Sequence, residues 1–336
     1  KISNKHDMLG EEKALIQREC KLYKDYFGKK NEKIDLYRVY KDFLEDLYVN
    51  YDKYEAAGIK LPNNTEILQR LKDTFDEKEI DLYDLGLIVI IKKALRDTVD
   101  FQYVKHIVVD EAQDFGVIAY GILKRLFPNC TFTIMGDVSQ NIYYDTGMND
   151  WKELREQVFN PDKDPFYTLA KSYRNTVEIS NYASQVLAKC SFETYAIDPV
   201  IRHGQPVIVE KYQDFEENIE ATVSYINKIK AGDYDTIAVI CRTVEETKTV
   251  YEALKDKTEV EPWKEDMEEL KFTNGVMVLP IHMTKGLEFD TVILWNPDTK
   301  NYDYTDAEAK LLYVAITRAL HELYVLCYGE LSKLLV

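Results

Sequence analysis

Residues 106–114 read HIVVDEAQD, an apolar run that closes on the adjacent acids Asp110 and Glu111. A strand ending in two acids sets them at the carboxyl edge of a parallel sheet, where folds of that kind bind ligands. Phosphoryl transfer needs such a pair, one carboxylate near a magnesium ion and another to activate water. A bare Asp-Glu pair is also at home as the start of a helix. Further candidates follow in order: Asp137 and Gln140 in GDVSQNIY, Tyr173 and Arg174 in SYRNTVEI, His282, Gly286 and Glu288 in VLPIHMTKGLEFD, and Arg318 in LLYVAITRALHELYV. Each has an ordinary use when taken alone. A single helical Arg is usually a solvated or ion-paired surface group, a lone Gln caps a loop, and one Tyr among 25 is core or interface. Their order and neighbourhood give them weight together.

These residues need strands and helices to position them. From Tyr103 onward, HIVVDEAQD, TFTIMGD, PVIVEKY, TIAVICRT, VMVLPIHM, TVILWN and ELYVLCY predict strands, with a helix over Val117–Leu126 after the first. Continuous apolar strands separated by helical stretches imply parallel sheets covered on both faces. The first hundred residues instead space Leu, Ile, Tyr and Phe at three and four. That spacing predicts amphipathic helices over GEEKALIQRECKLYKDYFG and LYRVYKDFLEDLYVNYDKYEAAG, and another from Asp81 to Leu95, with Pro62, Asn63 and Asn64 as punctuation. FNPDKDP, at residues 159–165, is the candidate boundary between two α/β lobes.

Composition bounds the partners. The 336 residues are 46% hydrophobic and 30% charged, a size that favours two domains. Neither a run of about 18 apolar residues nor a signal-peptide pattern is present, so a cytoplasmic location and no membrane partner are expected. Cys20, Cys130, Cys190, Cys241 and Cys327 are scattered without CxxC pairs, which argues against a disulfide framework or a zinc site. The formal net charge of −16 means that any grip on a nucleic-acid backbone must be local.

Taken together, DEAQD, GDVSQNIY, SYRNTVEI, VLPIHMTKGLEFD and LLYVAITRALHELYV resemble motifs II to VI of UvrD/Rep-like superfamily-1 helicases. The resemblance runs from Tyr103 to the C-terminus. It implies an α/β fold of two RecA-like, P-loop NTPase-type parallel-sheet lobes, the first incomplete, behind a helical N-terminal extension. The expected division is a helical segment over 1–80, a partial first lobe over 81–165 and a second lobe over 166–336. The resemblance further implies ATP and Mg2+ as ligands. Asp110 then holds the metal and Glu111 orients the attacking water. Gln140 senses the γ-phosphate, with Asp137 positioning its loop. Tyr173 stacks on adenine, Arg174 and Arg318 reach the transferred phosphoryl group, and Glu288 lies near the ribose where Gly286 lets the backbone approach. His282 faces single-stranded nucleic acid in relatives, although a buried structural histidine fits the sequence equally well.

Departures from the family pattern carry expectations of their own. No GxxxxGK(S/T) occurs, since Gly28-Lys29 and Gly58 to Lys60 lack the flanking residues. The natural protein is therefore expected to continue upstream, or to take its P-loop from another polypeptide, and this chain alone to hydrolyse ATP hardly at all. The short stretch between ICRTVEE and VMVLPIH leaves no room for the large accessory domain that unwinding members insert there. Asp145 stands where relatives place a base-stacking tryptophan, which weakens single-strand affinity unless Tyr143 or Tyr144 substitutes. Pro280 stands where a threonine is usual. These losses point to the HelD-like group, whose motor acts on core RNA polymerase, with a DNA helicase of the helicase IV type and a non-hydrolysing interaction module as the other readings.

Overall fold

The structure is a computed structural model that describes residues 34–58, 63–75, 80, 82–96, 103–192, 194–195, 198–232, 234–263 and 274–336. The helix expected within residues 10–28, together with Cys20 and Gly28-Lys29, lies outside them. By its contacts the chain divides into residues 1–104 with 122–129, and residues 105–121 with 130–336.

In the first unit, α1 (Leu36–Val49), α2 (Tyr51–Ala56), α3 (Asn64–Phe75) and α4 (Leu82–Arg96) are helical. Asp35 starts α1 by accepting the amides of Tyr37 and Arg38, each at 3.1 Å. The single helix expected through residue 58 breaks at Asn50, which adopts φ −102°, ψ 23° and so ends α1 and begins α2. The Asn50 backbone N–H closes the last turn of α1 on Asp46 O and its side-chain amide donates to Asp46 Oδ1 at 2.7 Å, while Asn50 gives α2 no side-chain cap. Tyr40, Leu44 and Ile88 form the core. The buried Asp84 is satisfied there by the Tyr40 hydroxyl at 2.6 Å and by Arg70.

The second unit holds the strands. β1 (His106–Val109) pairs in parallel with β2 (Thr131–Ile134), and α5 (Val117–Leu126) connects them. After α6 (Trp151–Gln157), a two-residue strand β3 (Lys171–Ser172) pairs with β4 (Asp198–Pro199) across α7 (Val177–Leu187). β5 (Ile208–Lys211), α8 (Phe215–Lys230), β6 (Thr236–Cys241), α9 (Val244–Leu254), β7 (Gly275–Pro280), β8 (Phe289–Trp295), α10 (Asp306–Thr317) and β9 (Ala319–Cys327) follow. β5, β9, β8, β6 and β7 form, in that order, a five-stranded sheet whose neighbours are all parallel. The strands expected from sequence are all present, and the α/β class with parallel sheets is as the apolar runs imply.

Both faces of that sheet are covered. Ala238, Ile240, Leu279, Val292, Leu294 and Val325 face α7 and α10, while Ile237, Val239, Val278, Ile293, Tyr324 and Leu326 face α8 and α9. Alternation of this kind turns a continuous apolar strand into two cores. The β1–β2 pair differs from the expectation of two covered faces, because His106, Val108, Thr131 and Thr133 on one face are exposed. Threonines cap two of the helix starts. Thr243 and Thr305 accept the amides of Glu246 at 3.1 Å and Glu308 at 3.3 Å, and Glu246 returns a carboxylate to the Arg242 amide at 2.7 Å.

Candidate active site

The acidic wall begins where β1 stops. Asp110 and Glu111 are both exposed, and Asp110 Oδ1 accepts the Glu111 amide at 2.9 Å. Glu111 sits in the left-handed region at φ 50°, ψ 40°, a conformation that costs a non-glycine residue about 1–2 kcal/mol. Outliers of that kind persist where surrounding structure over-determines them. Here the tie is Gln113, fully buried, whose amide donates to Glu111 Oε2 at 2.5 Å and accepts the Asp137 amide at 3.0 Å. The turn after β2 approaches closely enough that a Cβ on Gly136 would lie 2.8 Å from the Ala112 nitrogen and would collide with the Gln113 carbonyl. Asp137 caps that turn, accepting the Ser139 amide at 2.9 Å and the Gln140 side-chain amide at 3.0 Å.

The cationic wall comes from residues 174–318. Arg318, at the end of α10, is 1% exposed and donates to Val314 O at 3.1 Å, Leu287 O at 3.1 Å and Gln140 Oε1 at 2.8 Å. Burial brings its guanidinium down to about 10, and the nearby Arg174 charge acts in the same direction, while Glu288 and Glu111 oppose it. Arg174 Nε forms an ion pair with Glu288 Oε1 at 2.5 Å, both side chains half-exposed. Asn175 buttresses the same corner, donating to Thr317 O at 3.0 Å and Ala319 O at 2.6 Å, and Arg202 holds the Arg174 carbonyl and Leu320 O. Tyr173 stands 72% exposed. Gly286 has φ +76°, which favours glycine, and the space beside its Cα is open. Arg318, Arg174, Glu288, Glu111, Asp137 and Gln140 therefore occupy one electrostatic neighbourhood, although they lie far apart in the chain.

Three further candidates divide. Tyr143 is 52% exposed, with Lys285 Nζ 6.0 Å from its ring. Tyr144 instead turns its ring toward Lys310, whose Nζ lies 5.3 Å from the centroid. Of the two tyrosines, the first presents the freer ring. His282 is exposed on the turn after β7, between the buried Ile281 and Met283, so the reading of a buried structural histidine is not what is found. Its pKa lies below the ordinary value, through partial desolvation and the Arg242 charge. Sequence reading passed over Gln113, Asn175 and Lys310. Gln113 lies inside the quoted DEAQD, and Lys310 interrupts AKLLYVAIT, a helix apolar on nearly every side, where a lysine is anomalous.

The UvrD/REP helicase N-terminal domain family matches residues 1–147. Two UvrD-like helicase C-terminal domain families match residues 167–262 and 275–326. A protein of Acanthamoeba polyphaga mimivirus, provisionally named an ATP-dependent DNA helicase, is 25% identical over 330 residues, covering 89% of this chain. The chain spans 46% of that relative's length. Among solved structures, the C-terminal domain of a possible DNA helicase from Lactobacillus plantarum WCFS1 is 32% identical, covering 49% of this chain and 92% of its own, with a TM-score of 0.41. A PRRSV helicase structure is similar at 15% identity over 67% of this chain and 35% of its own, with a TM-score of 0.35.

Proposed function

Because the chain carries UvrD/REP-type helicase domains along most of its length, we propose that it is the working part of an ATP-dependent superfamily-1 DNA helicase or translocase motor. ATP lies between the wall of Asp110, Glu111, Asp137 and Gln140 and the wall of Tyr173, Arg174, Gly286, Glu288 and Arg318. The observation that supports this most is the Arg318 to Gln140 bond beside the Arg174–Glu288 pair, since preorganised cations facing a carboxylate wall suit a transferring phosphoryl group. Glu111 orients the attacking water, and Arg174 and Arg318 stabilise the charge that develops. Tyr173 has the open ring that adenine stacking requires. On this reading residues 81–165 and 166–336 supply the two lobes.

Among the described residues no group of three or more His, Cys, Asp or Glu side chains could hold a metal ion. Mg2+ does not need such a cage, because it usually binds one or two carboxylates and completes its shell with phosphates and water. Exposed Asp110, with one oxygen engaged by the Glu111 amide, suits that role. When bound, the ion neutralises phosphate charge. The 336-residue chain lacks a GxxxxGK(S/T) segment, and its own turnover is proposed to be slight. Exposed Tyr143 and His282 are the proposed single-strand contacts, with Tyr144 held back by Lys310.

In the full-length protein, Glu111→Gln and Arg318→Ala should each lower DNA-stimulated ATP turnover by about a hundredfold or more. Wild-type turnover in Glu111→Gln would sink the role given to Glu111, and absence of turnover in the unmutated full-length protein would favour a non-hydrolysing interaction module. A second reading, a HelD-like motor acting on core RNA polymerase, is favoured by the net charge of −16 and by the short connection between α9 and β7, residues 255–274. Forked-DNA unwinding without retention on immobilised RNA polymerase core would discard that second reading.

A further inference from the structure

The carbonyls of Thr317, Arg318, Ala319 and Leu320 follow one another where α10 passes into β9. A helix leaves its last carbonyls without partners of its own, and buried ones must find them elsewhere. The Asn175 side-chain amide donates to Thr317 O at 3.0 Å and to Ala319 O at 2.6 Å. Arg318 O accepts the Phe289 amide at 2.9 Å, and Leu320 O accepts Arg202 Nη2 at 2.8 Å. The same Arg202 nitrogen also donates to the Arg174 carbonyl. Two polar side chains therefore join the backbone on both sides of Arg318 to the backbone at Arg174 and Asn175.

Arg202 is itself anchored to that second stretch. The Val200 amide donates to Ser172 O at 2.9 Å, Arg202 O accepts the Val177 amide at 3.0 Å, and Glu178 Oε2 accepts the Gly204 amide at 2.8 Å. A Cβ on Gly204 would lie 2.6 Å from Thr176 Cγ2 and 3.1 Å from His321 O, so residues 202–204 are wedged between the start of α7 and β9. The wedge bears on the two arginines because they are close enough for the Arg174 charge to disfavour the charged form of Arg318. Like charges at that range repel, and a long side chain with many rotamers does not fix its own distance from another. The spacing is set where their backbones are tied.

We propose that Asn175 and Arg202 are positioning residues that clamp Arg174 to the end of α10, so that the Arg174 and Arg318 guanidinium groups meet the transferred phosphoryl group as a pair of fixed spacing. The part concerning nucleotide rests on the reading of those two arginines given under Proposed function.

The test is DNA-stimulated ATP turnover of the full-length protein, with amide hydrogen exchange measured in the absence of nucleotide. Arg202→Met keeps the apolar stem and removes the donors, and its kcat falls about tenfold or more, as a small misplacement of catalytic groups requires. Both Arg202 bonds leave one nitrogen, so an ammonium can replace it, and Arg202→Lys returns to within about threefold of wild type. Once Arg174 is gone no spacing remains to hold. In an Arg174→Ala background, Arg202→Met therefore costs about twofold or less. A full tenfold loss in that background, a lysine variant no better than methionine, or wild-type turnover in Arg202→Met overturns the proposal. Without nucleotide, Arg202→Met speeds exchange of the Phe289 and Arg318 amides about tenfold, although neither bonds to Arg202, and Arg202→Lys restores them. Unchanged exchange at both amides refutes the clamp. Should Arg202→Met fail to fold, Asn175→Ala removes the other two bonds and meets the same cycle against Arg174→Ala and the same exchange measurement. Wild-type turnover in both Arg174→Ala and Arg318→Ala refutes the reading of the site, and exchange at Phe289 and Arg318 then decides the clamp by itself.

Discussion

Glu111 combines the chemistry of the proposed site with a backbone that only its surroundings maintain. Its left-handed conformation yields a prediction separable from catalysis. Glu111→Gly and Glu111→Ala both remove the carboxylate, but glycine tolerates φ 50° and alanine does not. The glycine variant should be more stable than the alanine variant by about 1 kcal/mol in denaturant melts. Equal stabilities would mean that the turn relaxes once the side chain is gone. Arg318 represents the opposite case, an enclosed cation whose proposed role toward phosphate falls on a group already engaged in structural bonds. Its three acceptors, Val314 O, Leu287 O and Gln140 Oε1, join α10, the Gly286 turn and the Gln140 turn.

At the level of elements, the two turns that follow β1 and β2 behave as one object because Gln113 bridges them. Gly136 permits that approach. In Gly136→Ala the Gln113 side chain could swing away, but the Ala112 backbone nitrogen could not, so the turns must part. A loss of about 1–3 kcal/mol is expected, and it should be smaller in a Gln113→Ala background, where half of the collision is already gone. An unchanged denaturation midpoint for Gly136→Ala would show that the turns are not rigidly joined. The same scale shows what local sequence leaves out. β3 and β4, two residues each, have no run long enough to leave a period, and Asn50 splits an otherwise continuous amphipathic pattern. The apolar strands of the five-stranded sheet were legible because burial on both faces demands unbroken hydrophobic runs.

Across the whole molecule, buried and tethered carboxylates shape the response to pH. Burial raises the Glu246 carboxyl from 4.5 to about 7, while the Gly204 amide and His203 lower that of Glu178 to about 2. For Glu246 the folded value lies above the unfolded one, so the penalty on its charged form is absent below pH 4.5 and grows as pH rises toward 7. For Glu178 the order is reversed, and its contribution is lost as pH falls from 4.5 toward 2. Thermal melts should therefore show Tm declining between pH 4.5 and 7 through Glu246, and declining again in stronger acid through Glu178. Glu246→Gln should abolish the first slope. Its persistence in that variant would assign the slope to other groups.

The order of acids, glutamine, tyrosine, arginines and glycine along the chain was enough to nominate a phosphoryl-transfer site, because each residue type suits one task and the acids, Gln140 and Gly286 follow predicted strands. Periodicity likewise declared the α/β class, since alternation and apolar runs are properties of consecutive residues. Contacts across long separations left no such trace. That Arg318 meets Gln140, that Gln113 ties Glu111 to Asp137, that Tyr144 is claimed by Lys310 while Tyr143 stays exposed, and that His282 faces solvent depend on which buried groups find partners. Desolvation makes those partnerships obligatory, and only the folded arrangement of the strands and α10 decides between which residues they form.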